Sequence, residues 1–261
     1  MLALITLLCY FCHLIPYGFV NRIFYAFDRR FCPLINRYLS HGNARRIFAL
    51  LSTYLDFHFA GNKKLIAALP PQYLVMSNHQ SLLDIPLFMR FLDGPRLRFV
   101  AKAELGRHVP VVSVMLRSGG HCLLKRSGSA AQAMQALDSF AERVVANNWI
   151  PVIFPEGTRS RDGKLGTFHA AGFRRFLDRA PMPVAVCALD GAWRISSLFG
   201  LRKNLRGNEY RVTVLKVYPA PTSKAEQVRI LEEGKALIQE QLEAWNEKKE
   251  SSKMSSLSNS R

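Results

Sequence analysis

Acidic residues are scarce in this chain. Nineteen Asp and Glu stand against 36 Lys and Arg, giving a formal net charge of +17 and a pI near 10.1. So large a cationic excess favours phosphate-bearing partners: nucleic acid, an anionic bilayer or a phosphorylated small molecule. No finger-type Cys/His spacing and no base-stacking aromatic run is present, which sets nucleic acid aside. Cysteine is sparse as well, with five residues at 9, 12, 32, 122 and 187. That odd, scattered set forms no disulfide framework and fits a reducing compartment. Cys9 and Cys12 make a C-x-x-C inside an apolar run without βαβ context, so they read as small helix residues rather than a redox pair. G-x-S-x-G and H-E-x-x-H are both missing, which argues against a serine hydrolase and a zincin. From Gly157 to Lys164 the chain approaches a P-loop, but five residues separate the glycines and Leu165 stands where Ser or Thr is needed.

Charge of either sign is absent from the first 20 residues, MLALITLLCYFCHLIPYGFV. A secretory signal would carry a basic start and a small-x-small cleavage site, and neither is evident. About 20 apolar residues just cross a bilayer core of about 30 Å, although His13, Pro16 and Gly18 interrupt this run. Two readings stay open: a single transmembrane anchor, or a hydrophobic helix lying in one leaflet and continued by the Arg-studded amphipathic stretch Ala44–Phe59. Arg22, Arg29 and Arg30 then keep the following chain on the cytoplasmic face of an inner or plasma membrane. Residues 1–60 are thus expected to be membrane-associating helices, 61–222 a catalytic domain, and 223–261 a helix with a polar tail.

Beyond Gly61, short β-rich runs alternate with longer helical stretches. Strands are expected at Tyr73–Ser77, Leu97–Ala101, His121–Leu124, Ile150–Phe154, Val184–Leu189 and Tyr210–Val217. Helices are expected at Leu82–Leu92, about Val109–Arg117, Ser129–Asn147, Ala170–Arg179 and Ala225–Trp245, with disorder after Lys248. Strands separated by single helices predict an α/β fold with a largely parallel or mixed central sheet flanked by helices, plus the N-terminal hydrophobic membrane-binding segment.

Functional residues in such folds gather in the loops after strands. One such loop reads Asn78-His79-Gln80-Ser81-Leu82-Leu83-Asp84. Ser81 is placed to cap the next helix, with His79 just outside it and Asp84 in its first turn. A carboxylate five residues on can fold back to the imidazole Nδ1, leaving Nε2 as a base for a weakly acidic hydroxyl. That is the base half of a triad whose nucleophile comes from the substrate. Spacing alone supports a helix-capping Asp beside an incidental His equally well. A second loop, Pro155-Glu156-Gly157-Thr158-Arg159-Ser160, offers a guanidinium fork suited to phosphate and neutral donors beside it. Glu156 would repel an anion, so it is expected to orient Arg159 or an acceptor hydroxyl. Lys102 and Arg126 flank a third region and add cations.

Together NHQSLLD at 78–84 and FPEGTRS at 154–160 resemble the first and third motifs of the glycerolipid acyltransferase family, the 1-acyl-sn-glycerol-3-phosphate acyltransferases. Lys102, Pro110 and Arg126 match the recurring residues of the second block, and Pro183-Val184 the short fourth one. The resemblance spans about Tyr73 to Leu189. It implies His79 as general base and Asp84 as its orienting partner. It implies Glu156, Gly157, Thr158, Arg159, Lys102 and Arg126 as acceptor-binding residues. Direct transfer of an acyl chain from acyl-CoA or acyl carrier protein is implied, with no metal, no cofactor and no covalent acyl-enzyme. Anionic membrane lipids and a lysophospholipid acceptor are the implied partners, the leading acceptor being lysophosphatidic acid and the product phosphatidic acid. Three departures bear on the headgroup: Ser113 stands where many members have Gly, Lys125 where many are acidic, and Phe168-His169-Ala170-Ala171 replaces a common Phe-Lys-x-Gly. They keep open another lyso-lipid acceptor, with a larger headgroup or an aminolipid, and His169 as a headgroup contact. A catalytically silent lipid-binding relative is the reading from outside the enzyme class.

Overall fold

The computed structural model describes residues 2–38, 42–62, 65–108, 112–125, 128–196, 200, 204 and 206–258. Seven strands form one sheet: β1 (His58–Asn62), β2 (Leu74–Ser77), β3 (Leu97–Lys102), β4 (Cys122–Leu124), β5 (Ile150–Ile153), β6 (Val184–Asp190) and β7 (Glu209–Tyr218). Their order across the sheet is β1-β7-β6-β2-β5-β3-β4, and every neighbouring pair is parallel except β6 with β7. The expected α/β class with a largely parallel sheet is therefore what the chain adopts.

Side-chain alternation along the strands divides the core into two layers. On β2, Leu74 and Met76 face one side and Val75 the other, and all three are fully buried, as a strand covered on both faces requires. The Val75 side packs on helices α3 (Asn43–Leu55) and α4 (Asp84–Phe91) through Phe48, Leu87 and Phe88. The opposite side packs on α7 (Ala130–Ala146), α8 (Ala170–Arg179) and α9 (Lys224–Ser258) through Phe140, Phe173, Phe176 and Ile238. In α9 a Cβ at Gly234 would lie 2.1 Å from Met76 Cε. Glycine lowers helix propensity there but lets the helix axis approach the sheet.

Four expectations need revision. Ala44–Phe59 is not one amphipathic helix. Helix α3 stops at Leu55, Asp56 turns left-handed at φ 50°, and His58–Asn62 becomes the edge strand β1 on β7. The sequence HFAGN has no strand-like alternation; backbone pairing with β7 recruits it. Secondly, the residues after Lys248 continue helix α9 to Ser258 instead of fraying. Extending an existing helix avoids the nucleation penalty that would defeat the same polar segment alone. Thirdly, the helix expected from Leu82 begins at Asp84, and Ser81 Oγ accepts from the Leu83 N–H in the preceding turn instead of capping the helix. The helix expected near Val109–Arg117 is split into α5 (Leu105–His108) and α6 (Val112–Ser118), with 109–111 outside the described residues.

The N-terminal run is helical as α1 (Leu2–Phe27), followed by the short α2 (Cys32–Arg37). Among the described residues no helix is long and apolar enough to cross a membrane. Helix α1 leaves Ile15, Phe19, Ile23 and Phe27 exposed, Phe27 to 86%. One of its polar side chains is buried: the Asn21 amide donates to Asn36 Oδ1 on α2 at 2.8 Å and to Ser118 Oγ on α6 at 3.2 Å. That cluster fixes both N-terminal helices to the sheet-bearing part of the chain.

Candidate active site

Strands β2, β5 and β6 lie side by side and run parallel, so the loops after all three emerge at one end of the sheet. Strand β7 is antiparallel to β6, so it begins at that same end, with Asp190 opposite Arg211. Four separate segments thereby converge there.

The loop after β2 carries His79. Its Nδ1 lies 2.6 Å from Asp84 Oδ2, and the same oxygen accepts the backbone N–H groups of Gln80 at 2.7 Å and Ser81 at 3.1 Å. Asp84 is fully buried at the first residue of α4. Because the carboxylate oxygen accepts, Nδ1 carries the proton and Nε2 presents a lone pair. No hydrogen bond among the described residues engages Nε2, and the side chain is 17% exposed.

Neighbouring segments hold this loop through a side chain and through its backbone. Asn78 is buried, and its amide both donates to Leu189 O and accepts from Leu189 N–H, each at 2.9 Å, tying the loop to β6. From the β5 side, the His79 N–H donates to Glu156 Oε1 at 2.8 Å and the Ser160 N–H donates to His79 O at 2.8 Å. The Phe154 ring stacks on the imidazole with centroids 4.2 Å apart.

Glu156 is buried, and its second oxygen accepts from the Gly166 N–H at 2.9 Å. Burial pushes its carboxyl above the ordinary range, with the His79 and Gly166 N–H groups opposing that shift. The side chain therefore straps two loops together, facing away from the exposed Gly157, Thr158 and Arg159. Gly157 adopts φ +62°, a left-handed conformation that glycine enters freely, and its N–H closes a turn on Phe154 O at 3.0 Å. Arg159 has no ion-pair partner among the described residues. The Ser160 contact keeps its backbone beside His79.

The remaining expected residues are placed less tightly. Lys102 ends β3, two strands from β2, with Leu124 as its β4 partner. Arg126 and Pro110 lie outside the described residues. His169 is exposed at the N-terminal cap of α8, its N–H bonded to Pro155 O at 2.9 Å. One residue escaped the sequence reading altogether. Tyr210, the second residue of β7 and fully buried, donates its hydroxyl to Asp84 Oδ1. Burial, followed by the charge of Asp84, drives its phenol well above the usual tyrosine range, so it stays a neutral donor. Among the described residues no three His, Cys, Asp or Glu side chains cluster as metal ligands.

A family model described as Acyltransferase matches residues 60–190. The chain belongs to this acyltransferase family. It is 33% identical over 128 residues to a 1-acyl-sn-glycerol-3-phosphate acyltransferase of Cocos nucifera, covering 48% of this chain and 40% of that protein. The human 1-acyl-sn-glycerol-3-phosphate acyltransferase beta is 31% identical over 150 residues, 58% of this chain and 51% of the relative. The chain thus spans about half the length, or less, of these curated relatives. In fold it matches the crystal structure of the 1-acyl-sn-glycerophosphate (LPA) acyltransferase PlsC from Thermotoga maritima. There the TM-score is 0.68 at 23% identity, covering 94% of this chain and 95% of that one.

Proposed function

We propose that this protein transfers a fatty acyl chain from acyl-CoA or acyl carrier protein to the sn-2 hydroxyl of 1-acyl-glycerol 3-phosphate, forming phosphatidic acid. The observation that carries this reading is the 2.6 Å contact of His79 Nδ1 with the buried Asp84, which leaves Nε2 open beside the loop of Arg159. A lipid hydroxyl is too weak an acid to attack a thioester unaided. In the proposed step Nε2 takes the hydroxyl proton as the oxygen attacks the thioester carbonyl carbon. The C–S bond then breaks, and the departing thiolate receives that proton from the imidazolium. Asp84 holds the tautomer and stabilises the imidazolium. Arg159 and Thr158, exposed on the adjoining loop, hold the acceptor phosphate, with Lys102 and Arg126 contributing charge. Glu156 serves this site by shaping it, through its two backbone bonds.

The exposed apolar side chains of α1 support attachment to one face of a membrane, with the positively charged surface drawn to anionic lipids. In this reading the catalytic domain works on the cytoplasmic face, in keeping with Arg22, Arg29 and Arg30 just after the apolar run. A second reading keeps the chemistry and changes the acceptor. His169 stands exposed at a position where the family resemblance leads one to expect a lysine, which favours a lyso-lipid with a larger headgroup.

His79→Ala in the purified protein tests the reading: acyl transfer to lysophosphatidic acid should disappear while the circular dichroism spectrum is unchanged. Turnover near that of the parent protein would remove the base from the mechanism. Initial rates over a panel of lyso-lipids with one acyl donor separate the two acceptor readings.

A further inference from the structure

The Asp84 carboxylate is served unevenly. Oδ2 takes three donors, from His79 Nδ1 and the N–H groups of Gln80 and Ser81, all within its own loop. Oδ1 has a single partner among the described residues, the Tyr210 hydroxyl, which comes from 126 residues away in sequence. We infer that Tyr210 is a positioning residue for the general base: it fixes which Asp84 oxygen faces His79 and disperses the charge on that carboxylate.

Resting as it does on His79 acting as base, the inference follows from where β7 starts. Because β7 is antiparallel to β6, its second residue lands at the catalytic end of the sheet, and β1 covers it from the edge with Phe59 in register. With Oδ1 unpartnered, a fully buried carboxylate would turn about Cβ–Cγ and concentrate its charge on the oxygen that meets the imidazole. The ionisable groups around this pair are Glu156 from the β5 loop, Arg159 beyond it, Asp190 at the end of β6 and Tyr210 itself. Of these only Tyr210 gives Asp84 a neutral donor. Without that donor, more of the carboxylate's negative charge sits on the oxygen facing the imidazole, where it stabilises the imidazolium that forms when Nε2 takes a proton.

The test is Tyr210→Phe in the full chain, which deletes one oxygen and keeps the ring. We expect kcat to fall on the order of tenfold with the acceptor KM changed less than about twofold. The acid limb of the kcat–pH profile should move up by roughly half to one unit. Incorporating 3-fluorotyrosine at 210, a stronger donor of the same shape, should move that limb the other way. In an Asp84→Asn background the Tyr210→Phe change should alter kcat less than about twofold, because the two groups act as one unit. A folded Tyr210→Phe protein with parental kcat and acid limb overturns the inference, as does an equal loss in the Asp84→Asn background. Active His79→Ala protein would instead overturn the base assignment, so the two failures are distinct.

Discussion

The backbone N–H of His79 donates to the carboxylate of Glu156 at 2.8 Å, across 77 residues of sequence. An acidic residue in a loop proposed to receive phosphate would be out of place if it pointed at the ligand. Turned inward, it determines where the imidazole begins.

Glu156→Gln should therefore lower kcat more than it raises KM, on the order of tenfold or more, because one oxygen that received an N–H becomes an amide nitrogen. Steady-state kinetics with both substrates varied would check this. Stability carries a second signature. Burial raises the Glu156 carboxyl in the folded protein, so ionisation is less favourable folded than unfolded. Folding stability is accordingly lost as pH rises from the unfolded carboxyl value, about 4.5, through the raised folded one. The glutamine variant should lack that decline, and thermal melts of both proteins across mildly acidic pH would reveal the difference.

Arg159→Ala should raise KM for a phosphorylated acceptor by about 10- to 100-fold, since a charge-assisted hydrogen bond contributes about 1.5–3 kcal/mol. Its effect on the acyl donor KM should be slight. Arg159→Lys should fall between, because an ammonium supplies the charge without the two-pronged geometry. An effect confined to the donor would refute the assigned role.

Replacing Phe19, Ile23 and Phe27 together by serine should weaken sedimentation with anionic vesicles severalfold, since each side chain is exposed and apolar on α1. The same protein should retain its melting temperature to within a few degrees, as none of the three is buried. Unchanged pelleting would count against the proposed membrane face.

Most of the sheet could be read from the sequence because its strands, covered on both sides, are short apolar runs with helices between them. Val75 and Val152 illustrate this: apolar, flanked by turns and in register on adjacent strands. His58–Asn62 could not be read that way, for its strand character is supplied by β7 and not by its own side chains. In the site, the His79–Asp84 pair was legible because both partners sit in one loop. The inward turn of Glu156 was half legible, since repulsion from an anion already argued against its touching phosphate. Tyr210 was not legible. Its place beside Asp84 depends on β7 reversing direction against β6, and no local pattern around residue 210 announces that. Asn78 fell between these cases: its side chain stands in for a backbone pairing with Leu189, a role any turn asparagine could have filled locally.

The division of labour around His79 has a consequence for how such a protein can diversify. The groups that fix the imidazole, Asn78, Asp84, Glu156 and Tyr210, are all buried: Asn78 directly follows β2, Asp84 opens α4, Glu156 lies in the loop after β5 and Tyr210 in β7. The groups facing solvent on the adjoining loops, Thr158, Arg159 and His169, have no side-chain bond to any of them among the described residues. Under the proposed reading, substitutions at this exposed rim should change which acceptor is held while the buried set around His79 keeps its geometry.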